Sequence, residues 1–155
     1  MTEKVIYRPA VFADVETLYH LLSAYAKEGL MLPRARSVLY ENLRDFVVAE
    51  VDGVVVGAGA LHFLWDKLAE VRSLAIAPAW AKKGLGREIV RRLEEDGRKF
   101  GVTTFFALTY QPGFFSACGY ERAEKEMVPQ KVWKECVYCP KYPDCDEIAM
   151  IKRIE

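Results

Sequence analysis

The segment from Ala69 to Arg87 constrains this chain most, because it joins a strand, a glycine-containing loop and a helix without a break. Ala69–Pro78 alternates as a half-buried strand does, and it ends at a proline. The loop Ala81-Lys82-Lys83-Gly84-Leu85-Gly86-Arg87 follows, and an amphipathic helix begins near its last residue. Glycine lets backbone N–H groups turn toward one point, and a helix N-terminus adds its positive dipole end. The segment is therefore predicted to hold phosphate.

The absence of one sequence motif limits which kind of phosphate loop this can be. It contains no G-x-x-x-x-G-K-[ST] sequence, which excludes the nucleoside-triphosphate loop. Gly84 and Gly86 alone leave an ordinary turn before a helix as the alternative. A second glycine pair, Gly57-Ala58-Gly59, lies inside a strand pattern that no helix follows. We interpret it as small residues that permit close packing in the sheet.

Composition and charge limit the classes of protein open to the chain. Its 155 residues suffice for one domain over 1–155, and 22 basic residues balance 22 acidic ones. No strong field therefore favours nucleic acid or a membrane, and no apolar run is long enough to cross a bilayer. The first four residues lead into a strand pattern rather than a signal peptide, and four cysteines without an export signal indicate reduced thiols or a metal site. We expect a cytoplasmic domain.

The pattern of apolar residues and turn signals predicts an α/β fold in which helices flank a mixed sheet. Asp14 is a candidate N-cap for the first helix, which ends near Gly29, and Asp52-Gly53 is a strong two-residue hairpin signal. An insertion, residues 128–146, precedes the last strand. Strands are predicted at 5–9, 46–50, 54–63, 68–77, 102–109, 120–127 and 147–154, and further helices at 37–44, 86–100 and 112–118.

Two charged residues, Glu70 and Arg72, share one strand face with Leu74, because side chains alternate along a strand. One interpretation is an exposed ion pair of little energetic value. The alternative is functional: Glu70 is a candidate base for an incoming ammonium, and Arg72 a candidate grip for an anionic substrate group. Arg34 and Arg36 lie at a helix start, where they could simply be solvated. A cation is mildly unfavourable there, which slightly favours a binding role.

The histidines and cysteines give weaker signals. His20 and His62 are isolated in the sequence, which favours structural roles for both. Three cysteines in the insertion could ligate zinc, but a structural zinc site usually has four ligands, so zinc is the weaker alternative to packed thiols or a labile disulfide. These cysteines are Cys136, Cys139 and Cys145.

The strand, loop and helix together resemble the pyrophosphate loop of the GNAT acetyltransferases. Further segments resemble the short stand-alone N-acetylglutamate synthase-type proteins of that superfamily: 28–34, 39–42, 66–75, 106–112, 114–120 and 136–150. The resemblance implies the GNAT fold and transfer of acetyl from acetyl-CoA to the α-amine of glutamate, the entry step of arginine biosynthesis. Glutamine, a peptide N-terminus or a polyamine remain alternative acceptors, and a non-catalytic CoA-binding module is the rival from another class.

The same resemblance implies roles for individual residues. The backbone of Leu74, Ala75 and Ile76 would face the pantetheine and thioester, with the Ile76 amide at the developing oxyanion. The coenzyme loop would comprise Ala81, Lys82, Lys83, Gly84, Leu85, Gly86 and Arg87, and the carboxylate of a small amino-acid substrate would bind Arg34, Arg72 and Lys131.

Two positions depart from the family pattern. Ala81 stands where arginine or glutamine is usual, which matters less because loop amides make most phosphate contacts. By the same resemblance, Phe115 would lie beside the coenzyme, at the position of a tyrosine that protonates the leaving thiolate in many family members. Tyr110 or water would then do so, or the thiolate leaves unprotonated. The sequence does not decide between a monomer and a homodimer.

Overall fold

The structure is a computed structural model, and it describes residues 4–31, 33–124 and 148–154. They form a mixed sheet with helices on both faces, so the predicted α/β fold is confirmed. The strands are β1 (Ile6–Pro9), β2 (Phe46–Val51), β3 (Val54–Trp65), β4 (Leu68–Ile76), β5 (Thr104–Thr109), β6 (Glu121–Ala123) and β7 (Ile148–Arg153). The helices are α1 (Val15–Lys27), α2 (Arg36–Glu41), α3 (Leu85–Lys99) and α4 (Pro112–Ala117).

Strand order in the described sheet is β1-β2-β3-β4-β5-β7-β6. The neighbouring pairs in that part of the chain are antiparallel, apart from β4 and β5, which run parallel. None of the helices in the described ranges is both long and apolar enough to cross a membrane. One strand of this parallel pair, β4, carries the candidate residues Glu70, Arg72, Leu74, Ala75 and Ile76.

The parallel pairing of β4 with β5 covers three residue pairs, and the last of them joins Glu70 to Phe106. Both strands continue beyond that pair. A bulge bends β4 away: Ser73 has a φ of 56°, and the register of β3 against β4 shifts there. The strands therefore diverge at their carboxyl ends. We call the opening between residues 71–76 of β4 and 107–109 of β5 the cleft.

The two faces of the sheet carry different helices. Helix α3 packs on one face through Ile89, Val90 and Leu93, and α1 with α2 covers the other. The glycines of β3 make room for this packing, because a Cβ added to Gly59 would lie 2.8 Å from Cγ2 of Ile89. One added to Gly57 would lie 2.7 Å from Cδ1 of Ile76. The interpretation of this glycine pair as close packing is confirmed.

Of two local predictions, one hairpin is confirmed and one helix ends earlier than predicted. The hairpin at Asp52-Gly53 is confirmed, since both residues have positive φ, 49° and 79°, as a type I′ turn requires. The helix predicted at 37–44 is shorter. It stops at Glu41, where the Asn42 side-chain amide donates to the Val38 carbonyl (2.9 Å), and a 3-10 turn, Leu43–Asp45, follows.

Asp14 is the N-cap residue of α1, as predicted, but its side chain makes no capping hydrogen bond to the helix. Its carboxylate accepts the N–H of Val11 at 2.8 Å and both terminal nitrogens of Arg8 at 2.8 and 3.0 Å. Asp14 closes the 3-10 turn Phe12–Asp14, so its side chain is directed back toward β1 rather than onto the first turn of the helix. The guanidinium of Arg8 lowers the pKa of this carboxyl.

Candidate active site

The loop between β4 and α3 is shaped by two residues with positive φ. A 3-10 turn, Pro78–Trp80, leads into Lys82 with φ 61° and Gly84 with φ 88°. Such alternation aims successive amides toward one side. The first N–H groups of α3 also have no partner within the helix. The loop and the helix end therefore form a concave set of amide donors, which is what an anion needs.

The basic side chains of the loop are exposed to solvent, and its leucine is buried. Ala81 to Gly84 and Arg87 are exposed, whereas Leu85 is 4% exposed and belongs to the core. The ammonium of Lys83 lies 4.8 Å from the ring centre of Trp80. A Cβ on Gly84 would meet nothing within 4 Å, so this residue is required for its φ and not for lack of space. The open side and its cations fit a pyrophosphate.

Gly86 has a different function from Gly84. A Cβ there would lie 3.2 Å from Cε1 and Cζ of Phe114, so Gly86 allows α4 to pack against the start of α3. Phe115, which was expected to contact the coenzyme, is 5% exposed and stacks edge-on against Tyr120 with ring centres 5.2 Å apart. The aromatic ring of α4 that lies beside the loop is therefore Phe114.

The backbone of Ile76 is engaged by a side chain that sequence patterns did not single out for the site. The Ile76 N–H donates to the hydroxyl of Tyr25 at 3.0 Å, and that hydroxyl donates to the Ile76 carbonyl at 3.1 Å. The next amide, Ala77, bonds to Val56 in β3, so the Ile76 groups point away from β3 and toward the cleft. Contrary to the expectation for the oxyanion, the Ile76 amide already has a partner here.

Arg34 and Arg72, far apart in the chain, line the same pocket. We call it the arginine pocket. Arg34 enters it from the segment before α2, and Arg72 enters from β4 beside the bulge. Its other lining residues are Val38, Leu39, Asn42, Asp45, Phe46, Ala60 and Ser73. The lining thus holds two arginines and one carboxylate, that of Asp45, so its charge is net positive and we expect it to attract an anionic group such as a carboxylate.

Glu70 lies next to this pocket. Its Oε1 is 3.7 Å from Nη1 of Arg72, and the two side chains are 14% and 10% exposed. Directly opposite Glu70 on β3 is His62, whose Nδ1 lies 2.7 Å from Oδ2 of Asp45. Sequence reasoning treated His62 as structural. The contact could not be read from spacing, because Asp45 reaches His62 only through the folding of the sheet.

A second polar region lies on the α3 face. A cavity of about 330 Å³ is lined there by Glu94, Cys118 and Lys152 together with residues of the first turns of α3. Lys152 Nζ donates to Oε1 of Glu94 at 2.9 Å and to the Cys118 carbonyl at 3.0 Å. Burial, and next the charge of Glu94, raise the pKa of the Cys118 thiol. A thiol held protonated is unsuited to nucleophilic attack.

The family is decided by comparison with known proteins. Residues 15–120 match the model of the acetyltransferase (GNAT) family. The chain belongs to this family. An uncharacterized N-acetyltransferase of Chlorobaculum tepidum is 44% identical over 147 residues, which is 95% of either chain. The amino-acid acetyltransferase of Mycobacterium tuberculosis is 36% identical over 133 residues, 84% of this chain and 76% of that protein.

Solved GNAT structures share the architecture. Rv2747 from Mycobacterium tuberculosis, in complex with CoA, superimposes with a TM-score of 0.83 at 30% identity and covers 97% of this chain and 99% of that one. N-acetylglutamate synthase from Neisseria gonorrhoeae, complexed with coenzyme A and N-acetyl-glutamate, gives a TM-score of 0.89. At 22% identity, and with 36% of that chain covered, this second likeness shows the fold alone. The GNAT domain is accordingly an acyltransferase that uses acetyl-CoA.

The remaining predicted site residues of this GNAT domain are distributed as follows. Tyr110 comes directly after β5 and is half-buried, so it lies at the end of the strand that bounds the cleft opposite β4. Lys131 lies outside the described residues, and so do the three cysteines of the insertion. The predictions of a carboxylate contact from Lys131 and of a zinc site therefore stay predictions.

Proposed function

We propose that the enzyme transfers acetyl from acetyl-CoA to the α-amine of glutamate, and so serves arginine biosynthesis in the cytoplasm. One observation carries the choice of acceptor: two arginines, Arg34 and Arg72, line one pocket, and Oε1 of Glu70 lies 3.7 Å from Nη1 of Arg72. An amino acid presents carboxylate and ammonium groups at a short fixed separation, which matches this arrangement of charges. The amino-acid acetyltransferase of Mycobacterium tuberculosis supports the assignment by its 36% identity.

Acetyl-CoA is assigned to the cleft and the loop at its mouth. The exposed cations and the positive-φ residues of the loop fit the pyrophosphate. The backbone of Leu74, Ala75 and Ile76 forms the β4 wall of the cleft and is assigned to the pantetheine arm and thioester. Since Tyr25 holds the Ile76 amide, stabilisation of the oxyanion by that amide requires the Tyr25 hydroxyl to withdraw first.

Glu70 acts as the general base in this proposal. An amino acid arrives as an ammonium, and the amine attacks the thioester only after a proton has left the nitrogen. Arg72 pairs with Glu70 before the acceptor binds, with its Nη1 3.7 Å from Oε1 of Glu70. Transfer is direct, because Cys118 has a raised pKa and is no candidate for an acetyl-enzyme. Tyr110 or water protonates the thiolate product.

The alternative acceptors differ in charge from glutamate. A polyamine carries only cations, which two arginines in one pocket repel. Glutamine keeps the α-carboxylate and loses the second one, so it is the nearest rival. A non-catalytic CoA-binding module would not need a carboxylate and a guanidinium together on a nearly buried strand face, where burying the charges costs free energy.

A thiol-release assay tests the proposal. Acetyl-CoA is supplied with each of glutamate, glutamine, aspartate, spermidine and a short peptide, and free CoA is measured over time. We expect the highest kcat/KM for glutamate. Arg34→Ala should reduce the preference for glutamate over glutamine. Glutamine or spermidine as the best substrate would refute the choice of acceptor, and no acceptor-dependent thiol release at all would refute the acetyltransferase mechanism.

A further inference from the structure

Three ionisable side chains stand in a row across neighbouring strands of the sheet. Asp45 immediately precedes β2, His62 lies in β3, and Glu70 lies in β4 directly opposite His62. The strands are neighbours in the order β2-β3-β4, so His62 occupies the position between the two carboxylates. Side chains of directly opposed residues share a face, with Cβ atoms about 4.5–5.5 Å apart. An imidazole at this distance reaches a glutamate carboxylate directly or through one water.

The contact with Asp45 sets which nitrogen of His62 can accept a proton. Nδ1 lies 2.7 Å from the Asp45 carboxylate, which accepts hydrogen bonds and so fixes the tautomer with its proton on Nδ1. Nε2 is then the basic nitrogen. A carboxylate that orients an imidazole in this way also stabilises the imidazolium once it forms. The His62 and Asp45 side chains are 28% and 26% exposed, compared with 14% for Glu70, so this pair is closer to solvent than the proposed base.

The chemistry of the proposed reaction requires a route for one proton. An ammonium acceptor and a thioester give an amide, a thiol and one released proton. Of the two protons lost from nitrogen, one goes to the thiolate sulfur and the other goes to Glu70. Glu70 must lose that proton before the next cycle, and Arg72 beside it is a cation that accepts none.

We propose that His62, positioned by Asp45, carries the proton from Glu70 to solvent in each catalytic cycle. The O–H bond of Glu70 breaks, an N–H bond forms at Nε2 of His62, and the imidazolium then releases its Nε2 proton to water. Near the ring, Asp45 contacts Nδ1 from the turn before β2, and Glu70 lies opposite on β4 with Arg72 beside it. Arg34 lines the arginine pocket with Asp45 and Arg72. This proposal rests on the proposed function, because it needs an acceptor that arrives as an ammonium.

Chemical rescue separates a proton carrier from a packing residue. The chain has two histidines, so His20→Gln is a matched control: His20 lies on α1, 72% exposed, near Glu16. We expect His62→Gln to lower kcat roughly tenfold to a hundredfold, with the KM for acetyl-CoA changed less than twofold. Added imidazole should restore kcat in proportion to its concentration, because a small base can accept the proton from Glu70 in place of the ring. His20→Gln should behave as wild type with and without imidazole.

Asp45→Asn provides a second variant that keeps the side-chain volume and removes the charge. It should lower kcat with the ring still present, and imidazole should rescue it as well. Wild-type kcat in His62→Gln, or a lowered kcat that imidazole does not change in either variant, would overturn the proposal. Absence of amine-dependent thiol release by the wild-type enzyme would instead show that the proposed function fails.

Discussion

Two acid–base pairs of similar burial lie on opposite faces of this sheet, and they differ in what surrounds them. Glu94 and Lys152 are 2.9 Å apart, with the ammonium also bonded to the Cys118 carbonyl. Glu70 and Arg72 are 3.7 Å apart and adjoin the arginine pocket. The first pair lies on the α3 side of the fold, where Oε1 of Glu94 accepts from Lys152 and Oε2 is buried with no hydrogen-bond partner among the described residues. The second adjoins a pocket that Arg34 and Asp45 also line, so further charged side chains lie beside it. Burial alone therefore does not distinguish a structural pair from a functional one.

Replacement of Glu70 should have the largest effect and tests the functional pair directly. Glu70→Gln should lower turnover on the order of 10²–10⁴-fold, because the base for the ammonium is lost, with partial recovery at high pH where the free amine is more abundant. Coenzyme affinity should be unchanged. The measurement is kcat against pH from 6 to 10, together with calorimetric titration of CoA. Near wild-type turnover at neutral pH would show that Glu70 is not the general base.

Removal of the cation from the α3-side pair should affect stability rather than chemistry. Lys152→Met leaves the Glu94 carboxylate, 8% exposed, without its partner, which typically costs about 3–5 kcal/mol of unfolding free energy. The midpoint of urea denaturation should fall accordingly, while kcat of the folded fraction stays within about twofold. A loss of turnover at unchanged stability would show that this pair, too, belongs to the chemistry.

The arginine pocket gives an intermediate effect. Arg72→Ala and Arg34→Ala should each raise the KM for glutamate by roughly 10- to 150-fold, since a charge-assisted pair to a carboxylate is worth about 1.5–3 kcal/mol. Arg36→Ala is a suitable control, because Arg36 is bonded to Glu16 on the exposed surface (2.7 Å). An unchanged KM in both pocket variants would indicate that Lys131, and not these arginines, binds the carboxylate.

A pair of glycines tests the coenzyme loop. Gly84 and Gly101 have nearly the same φ, 88° and 89°, and a Cβ on either meets nothing within 4 Å. Alanine at each should therefore destabilise the fold by a similar amount, about 1–2 kcal/mol. Only Gly84→Ala should also weaken CoA binding, roughly tenfold, because it turns the amides of the loop away from one another. Equal CoA affinities in the two variants would show that the loop does not bind the coenzyme.

Sequence patterns predicted what depends on neighbours in the chain. The hairpin at Asp52-Gly53 follows from turn chemistry, and the apolar stripe of α3 follows from a period of 3.6 residues. The convergence of Arg34 on Arg72 was inferred from charge and a resemblance, and the structure brings both to one pocket. The positive φ of Lys82 could not be foreseen, because non-glycine residues seldom adopt it.

Contacts across the fold escaped prediction for a common reason. The bonds of Tyr25 to Ile76 and of Asp45 to His62 join residues whose sequence neighbourhoods suggest other functions. Tyr25 fits the apolar stripe of α1, and Asp45 fits the end of a helix. Their partners are determined by how strands and helices pack, which no periodicity encodes. Most of the fold was thus predictable, and the part of the site that relies on such contacts was not.

The smallest predicted effect concerns the Tyr25 hydroxyl, which occupies both hydrogen-bonding groups of Ile76 at the cleft. If the pantetheine arm uses those groups, the hydroxyl must give them up when CoA binds. Tyr25→Phe should then tighten CoA binding two- to tenfold, because the exchange of one hydroxyl's partners is worth about 0.5–1.5 kcal/mol. Tyr19→Phe is the control, because Tyr19 lies on the same helix and its ring packs elsewhere. The centre of that ring is 3.9 Å from Cζ of Arg36. Calorimetry of CoA binding decides the question: weaker binding in Tyr25→Phe alone would mean that the hydroxyl stays in the cleft and contacts the coenzyme itself.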